Sequence, residues 1–187
     1  MDPGLVKLSK FMSLVLRHKP GEIGLVLDEN GWADVAELIA RANLKGVRLT
    51  RSDLLTIVET NDKKRFALSD DGARIRASQG HSIEVDLALS PIAPPARLFH
   101  GTASRFVESI RAQGLVRGRR QHVHLSPDET TATKVGQRHG KPIVLQVLSG
   151  SMHQAGRLFY FSANGVWLTE HVPAEYLVFP PAAQPAR

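Results

Sequence analysis

The chain of 187 residues contains no cysteine. That absence excludes disulfides, a thiolate nucleophile and every zinc site built on cysteine, and it fits a reducing cytoplasm. Long apolar runs are also missing. The opening MDPGLVKLSKFMSLVL has no basic segment followed by a sustained apolar core, and no later stretch approaches the roughly 20 apolar residues that span a bilayer. A soluble, cytoplasmic protein without a membrane partner is expected. Internal repeats are absent as well. The charge leans basic, with 24 Lys and Arg against 18 Asp and Glu and a formal net charge of +6. Such an excess suits a polyanionic partner and serves plain solubility equally well.

At residues 87–96, LALSPIAPPA, three closely spaced prolines can neither continue a helix nor sit inside a central strand. The expected division is therefore a first lobe at 1–90 and a second at 97–180, followed by an irregular tail, PPAAQPAR. In the first lobe Leu5, Leu8, Met12, Val15 and Leu16 recur at helical spacing. A second short helix follows from Asp34, and Thr50 or Ser52 can cap a third. The period then changes. Residues 65–69, a turn at Asp70-Asp71-Gly72 and residues 73–77 read as a β-hairpin with Asp-Gly as its turn signal. Three helices and a hairpin are the order of a winged-helix module, a shape that binds nucleic acid in some proteins and other proteins elsewhere. In the second lobe short strands are expected at 97–100, 122–125, 143–148, 158–161, 166–169 and 176–179, with helices at 105–113 and 128–138. The fold class is α+β, the second lobe carrying a split, mainly antiparallel sheet.

Arg17 and His18 end an apolar helical run just before Lys19-Pro20, where simple capping by cations accounts for them. Arg65 opens the hairpin. Gln79, Gly80, His81 and Ser82 surround a glycine that suits close approach to a phosphate or an ordinary turn. His100, Gly101 and Thr102 close a strand; the glycine would admit a ligand to the backbone and the histidine could bind a ribose hydroxyl. In RRQHVHLS, residues 119–126, alternation puts His122 and His124 on one face just after Arg120. Only Asp128 and Glu129 stand near as a third ligand, and they read as a helix start, so no metal is expected. Contact with phosphate or ribose competes with packing of a neutral histidine. His139, His153 and His171 have no supporting neighbours and read as surface residues.

Taken jointly, LRH at 16–18, KRF at 64–66, QGHS at 79–82, FHGT at 99–102, RQHVHLS at 120–126 and GVWLT at 165–169 resemble the RNA 2′-phosphotransferase family, also called tRNA 2′-phosphotransferases. The resemblance spans Leu5 to Pro180. Gly118 stands where methionine is frequent and Phe99 where tyrosine is common.

The resemblance implies NAD-dependent removal of an internal 2′-phosphate from RNA, such as the one some ligases leave at a splice junction. In its first step the RNA phosphate displaces nicotinamide from NAD, giving an RNA-2′-phospho-ADP-ribose. In the second, the ribose 2″-hydroxyl attacks that phosphate, and ADP-ribose 1″,2″-cyclic phosphate and an RNA 2′-hydroxyl result. It also implies that Arg17, His18, Arg65 and Arg120 surround the phosphate and that Gln79, Gly80, His81 and Ser82 contact substrate. His100, Gly101, Thr102, His124 and Ser126 would lie along NAD in a lobe like that of the ADP-ribosyltransferases. A monomer is expected. Two other readings remain open at this point: an ADP-ribosyltransferase that stops after the first step on a nucleic-acid terminal phosphate or a protein, and an inactive RNA-binding protein.

Overall fold

Asp2 accepts from the N–H groups of Gly4 (2.8 Å) and Leu5 (3.3 Å), and Pro3 occupies the first helical position, so helix α1 (Pro3–Arg17) starts where its own sequence dictates. Its stripe of Met12, Val15 and Leu16 is fully buried. A computed structural model of the chain describes residues 2–181; the tail from 182 onward lies outside the described residues. Two units account for these residues. The first runs to Leu89 and includes two later excursions, Arg119–Gln121 and Ser162–Asn164; the second holds the rest, from Ser90.

In the first unit, strand β1 (Ala33–Asp34) leads into helix α2 (Val35–Leu44), and helix α3 (Arg51–Thr60) follows. Thr50 and Asp53 form a reciprocal capping box at α3, which selects threonine over Ser52 as the cap. Strands β2 (Phe66–Leu68) and β3 (Arg74–Ala77) make the hairpin, with Gly72 in the left-handed region at φ 65°. The three strands pair antiparallel in the order β1-β3-β2. One core holds them together, with Leu38, Leu54, Ile57 and Ile75 packed against the buried stripe of α1.

In the second unit the elements are β4 (Leu98–Ala103), α4 (Val107–Gln113), β5 (Leu115–Val116), β6 (Val123–Leu125), α5 (Glu129–Gly136), β7 (Pro142–Val147) and α6 (Ser149–Gln154). They continue with β8 (Phe159–Phe161), β9 (Trp167–Thr169), β10 (His171–Val172) and β11 (Leu177–Val178). These form small antiparallel sheets, β11-β7-β4, β6-β9-β8 and β10-β5. A bridge between Phe99 and Ser126 sets β4 beside β6. The core centres on Leu98, Leu145, Met152 and Phe159. The proline-rich segment has no regular structure, and its end is held by bonds from Ser149 Oγ to the Pro95 carbonyl (2.7 Å) and from the Gly150 N–H to that of Ala96 (3.1 Å).

Several expectations need correction. The helix expected at 105–113 begins as a 3-10 turn and is α-helical only from Val107, and the one at 128–138 becomes 3-10 after Gly136. His171 is not an unsupported surface residue: it lies in β10 and its Nε2 bonds the Gln113 carbonyl at 3.0 Å. Strands β1, β5 and β10 and helix α6 were not anticipated, because pieces of two to six residues carry too little periodicity to stand out. Among the described residues no helix is long and apolar enough to cross a membrane.

Candidate functional site

Helix α1 must stop at Pro20, which places Arg17 on its last turn and His18 at its C-cap. Helix ends leave carbonyls without intrahelical donors. Here the Ser82 N–H reaches the Arg17 carbonyl at 2.9 Å, and Ser82 Oγ lies 2.8 Å from His18 Nδ1. The Arg17 side chain does not cap its own helix. Its Nη2 donates to the Arg65 carbonyl at 3.3 Å, which joins the end of α1 to the start of β2.

Arg65 is held from several sides. Its carbonyl also accepts from the Ser78 N–H (2.9 Å), and Ser78 Oγ donates to the preceding Lys64 carbonyl (2.8 Å). Lys64 itself has φ 40°, a left-handed conformation that costs a residue bearing a Cβ about 1 kcal/mol or more. Its N–H donates to the Asn61 carbonyl at 2.7 Å, Asn61 Oδ1 accepts from the Lys63 N–H at 3.0 Å, and Asn164 Nδ2 donates to the Lys63 carbonyl at 3.2 Å. Arg120 arrives on the other excursion of the first unit, where Gln121 Nε2 donates to the Ile83 carbonyl at 3.0 Å, one residue past Ser82.

The result is a concentration of positive charge. Burial, and then the charges of Arg65 and Arg120, bring the Arg17 guanidinium down to about 10. Arg120 is exposed as a whole residue, yet enough surrounds its guanidinium for desolvation to lower it too. His18 is lowered by partial burial first, then by Arg17 and Arg120, which favours a neutral imidazole until an anion arrives. Among the described residues neither Arg17 nor Arg65 forms an ion pair with a carboxylate. Arg17 Nε, Gln79 Oε1 and both ring nitrogens of His81 are buried with no hydrogen-bond partner among the described residues. Buried polar atoms of this kind are completed in native proteins by ordered water or by a ligand. The arrangement can neutralise a compact dianion and offer it a proton from one imidazole.

The four residues of the substrate-contact reading thus occupy different positions. Gly80 turns the chain with φ 86°, Ser82 is exposed and bonded to His18, and Gln79 is half-buried. His81 is only 1% exposed, so its ring lies beneath the surface, and burial with the charges of Arg17, His18 and Arg76 lowers it to about 4.

In the second unit, His100 Nδ1 donates to the His124 carbonyl at 3.1 Å, while Phe99 and Ser126 exchange backbone bonds of 2.9 and 2.7 Å. His100 on β4, His124 on β6 and Ser126 just past the end of β6 therefore stand together, all half-buried. His122 packs edge-on against Tyr160, with ring centroids 5.5 Å apart, and Tyr160 stands at the register of His124 across β9. Thr102 is 6% exposed. A Cβ at Gly101 would lie 1.7 Å from the Ala132 carbonyl oxygen, so what this glycine admits is the backbone of α5. Ser82's bond to His18 and the supports from Asn61, Ser78, Gln121 and Asn164 were missed in the sequence, where none carries a signal apart from ordinary polar composition.

Residues 4–171 match the model of a family described as RNA 2′-phosphotransferase, Tpt1 / KptA family. The chain is 60% identical over 169 residues to a protein of Agrobacterium fabrum, covering 90% of this chain and 91% of that one. It is 57% identical to a protein of Rhodopirellula baltica, with 96% and 98% covered, and 55% identical to one of Streptomyces coelicolor, with 94% and 95% covered. Each of the three bears the name "Probable RNA 2′-phosphotransferase".

Proposed function

Since the chain belongs to the RNA 2′-phosphotransferase, Tpt1 / KptA family, we propose that it removes an internal 2′-phosphate from RNA with NAD as co-substrate. The observation that carries this reading is the gathering of Arg17, Arg65 and Arg120 around His18, with no carboxylate among the described residues paired to Arg17 or Arg65. A phosphate monoester carries about −1.5 to −2 charge near neutral pH, and it relieves the mutual repulsion that such cations suffer without it.

Arg17, Arg65 and Arg120 hold the phosphate and spread its charge, each as a planar fork that stays charged near neutral pH. The same dianion raises His18 back toward protonation, so the imidazole gains its proton when substrate binds. His18 then delivers that proton to the RNA 2′-oxygen as its bond to phosphorus breaks. Ser82 fixes the ring for that transfer. In the second unit the donor set fits a ribose and diphosphate: His100, His124 and Ser126 offer two imidazoles and a hydroxyl on adjacent strands. Gly101 and Thr102 act there by fixing β4 against α5. NAD, when bound, supplies the ADP-ribosyl group that exchanges nicotinamide for the RNA phosphate and leaves as ADP-ribose 1″,2″-cyclic phosphate.

The test is incubation with a short RNA bearing one internal 2′-phosphate, with and without NAD. The expected result is phosphate loss only with NAD, and cyclic phosphate as product. A stable ADP-ribosylated RNA or protein as the end point would instead identify a simple ADP-ribosyltransferase. The His18→Ala variant should accumulate ADP-ribosylated RNA; equal loss of both steps would remove the general-acid role.

A further inference from the structure

Helix α1 reads PGLVKLSKFMSLVLR, with two lysines, a terminal arginine and no carboxylate. Val6, Lys10, Ser13, Leu14 and Arg17 recur every three or four residues and so share a face. That face is not the one buried in the core. It lines a groove of about 440 Å³ that ends at Arg17, His18 and Arg65. The volume lies within the range of small-ligand sites. Val6 and Leu14 are each 36% exposed, apolar walls on either side of Lys10.

We infer that this groove binds a nucleotide adjoining the phosphorylated one in single-stranded RNA, an inference that rests on the function proposed above. Lys10 takes the neighbouring phosphodiester, Val6 and Leu14 meet the apolar face of sugar and base, and the Ser13 hydroxyl meets a sugar hydroxyl or base edge. Charge selects this occupant. Among the described residues three cations and a histidine line the groove and no carboxylate does, whereas a second hollow in the same unit, of about 470 Å³, is lined by Glu59 and Asp62 as well as Lys64. Continuity selects it too. Lys10 stands seven residues, about 10 Å along the helix axis, from Arg17. A phosphate seated at Arg17 therefore delivers the next nucleotide to the groove as a tethered ligand.

The experiment measures binding by fluorescence anisotropy over a salt series, without NAD, using a short single-stranded RNA with one internal 2′-phosphate and adenosine 2′-phosphate as competitor. Each phosphate contact on a single strand adds about 0.7 to the slope of log K against log salt. Lys10→Gln should lower that slope by about 0.7. Both Lys10→Gln and Leu14→Asp should cut the preference for the oligonucleotide over the mononucleotide by at least about fivefold. Lys45→Gln, at the C-cap of α2, is the control and should change neither. Unaltered slope and preference in a folded Lys10→Gln protein would overturn the inference. Equal binding of the same RNA with and without its 2′-phosphate speaks against the proposed function, while the Lys10 slope decides the groove in either event.

Discussion

Ser82 Oγ lies 2.8 Å from His18 Nδ1, and the Ser82 N–H closes on the carbonyl of Arg17, so one residue of the 79–82 loop holds both ends of the Arg17-His18 pair. Only the first of these bonds depends on the side chain. Ser82→Ala should leave the loop in place and release the imidazole, lowering kcat by about tenfold for a lost hydrogen bond of about 1.4 kcal/mol, with little change in KM. Ser82→Thr, which keeps the hydroxyl, should restore most of the rate. An alanine variant at the parent rate would show that His18 is oriented by something else.

The crowding of Arg17 with Arg65 and Arg120 opposes folding while it prepares the site. Arg17→Met removes a half-buried cation, whose Nε has no hydrogen-bond partner among the described residues, and keeps most of the side-chain volume. Stability should rise by about 1 kcal/mol, or about 2–4 °C in Tm for a chain of this size, while turnover falls at least about 100-fold. Thermal melts with and without sulfate check both halves. Sulfate should raise the Tm of the parent more than that of the variant.

His81 makes stability depend on pH in a definite direction. Its folded value of about 4 lies below the ordinary 6.5, so the unfolded chain takes up the proton more readily. The contribution is present in full above about pH 6.5 and is lost as pH falls toward 4. The gap corresponds to about 3 kcal/mol as an upper figure. Urea unfolding at pH 7.5 and pH 4.5 should show a smaller difference for His81→Gln than for the parent. The same loss in both proteins would mean that other groups, carboxylates first, carry the acid sensitivity.

Gly101 and Gly136 lock β4 to α5. A Cβ at 101 meets the Ala132 carbonyl oxygen at 1.7 Å, and one at 136 meets the Thr102 carbonyl oxygen at 2.7 Å. Backbone on the other side cannot rotate away as a side chain can. Gly101→Ala should therefore cost about 3 kcal/mol, or about 6–12 °C in Tm. A variant that melts like the parent but binds NAD poorly would return Gly101 to the role of a ligand-facing glycine.

The sequence by itself determined the elements whose causes are local. The apolar spacing of α1, its stop at Pro20, the start of α3 just after Thr50 and the Asp71-Gly72 turn of the hairpin each depend on residues a few places apart, and each is found where the pattern puts it. The motif residues Arg17, His18, Arg65 and Arg120 were legible too, as likenesses. The tertiary structure alone decided which atoms meet. Arg17 and the Arg65 carbonyl are 48 residues apart, His18 and Ser82 are 64 apart, and Gln121 braces Ile83 from 38 residues away. No local pattern carries such contacts, because they follow from how the cores pack and where the loops then close. The same holds for His81 and Gly101. In sequence each is a polar or small residue in a short motif, and only the neighbours brought by folding make one a buried imidazole and the other the seat of a helix.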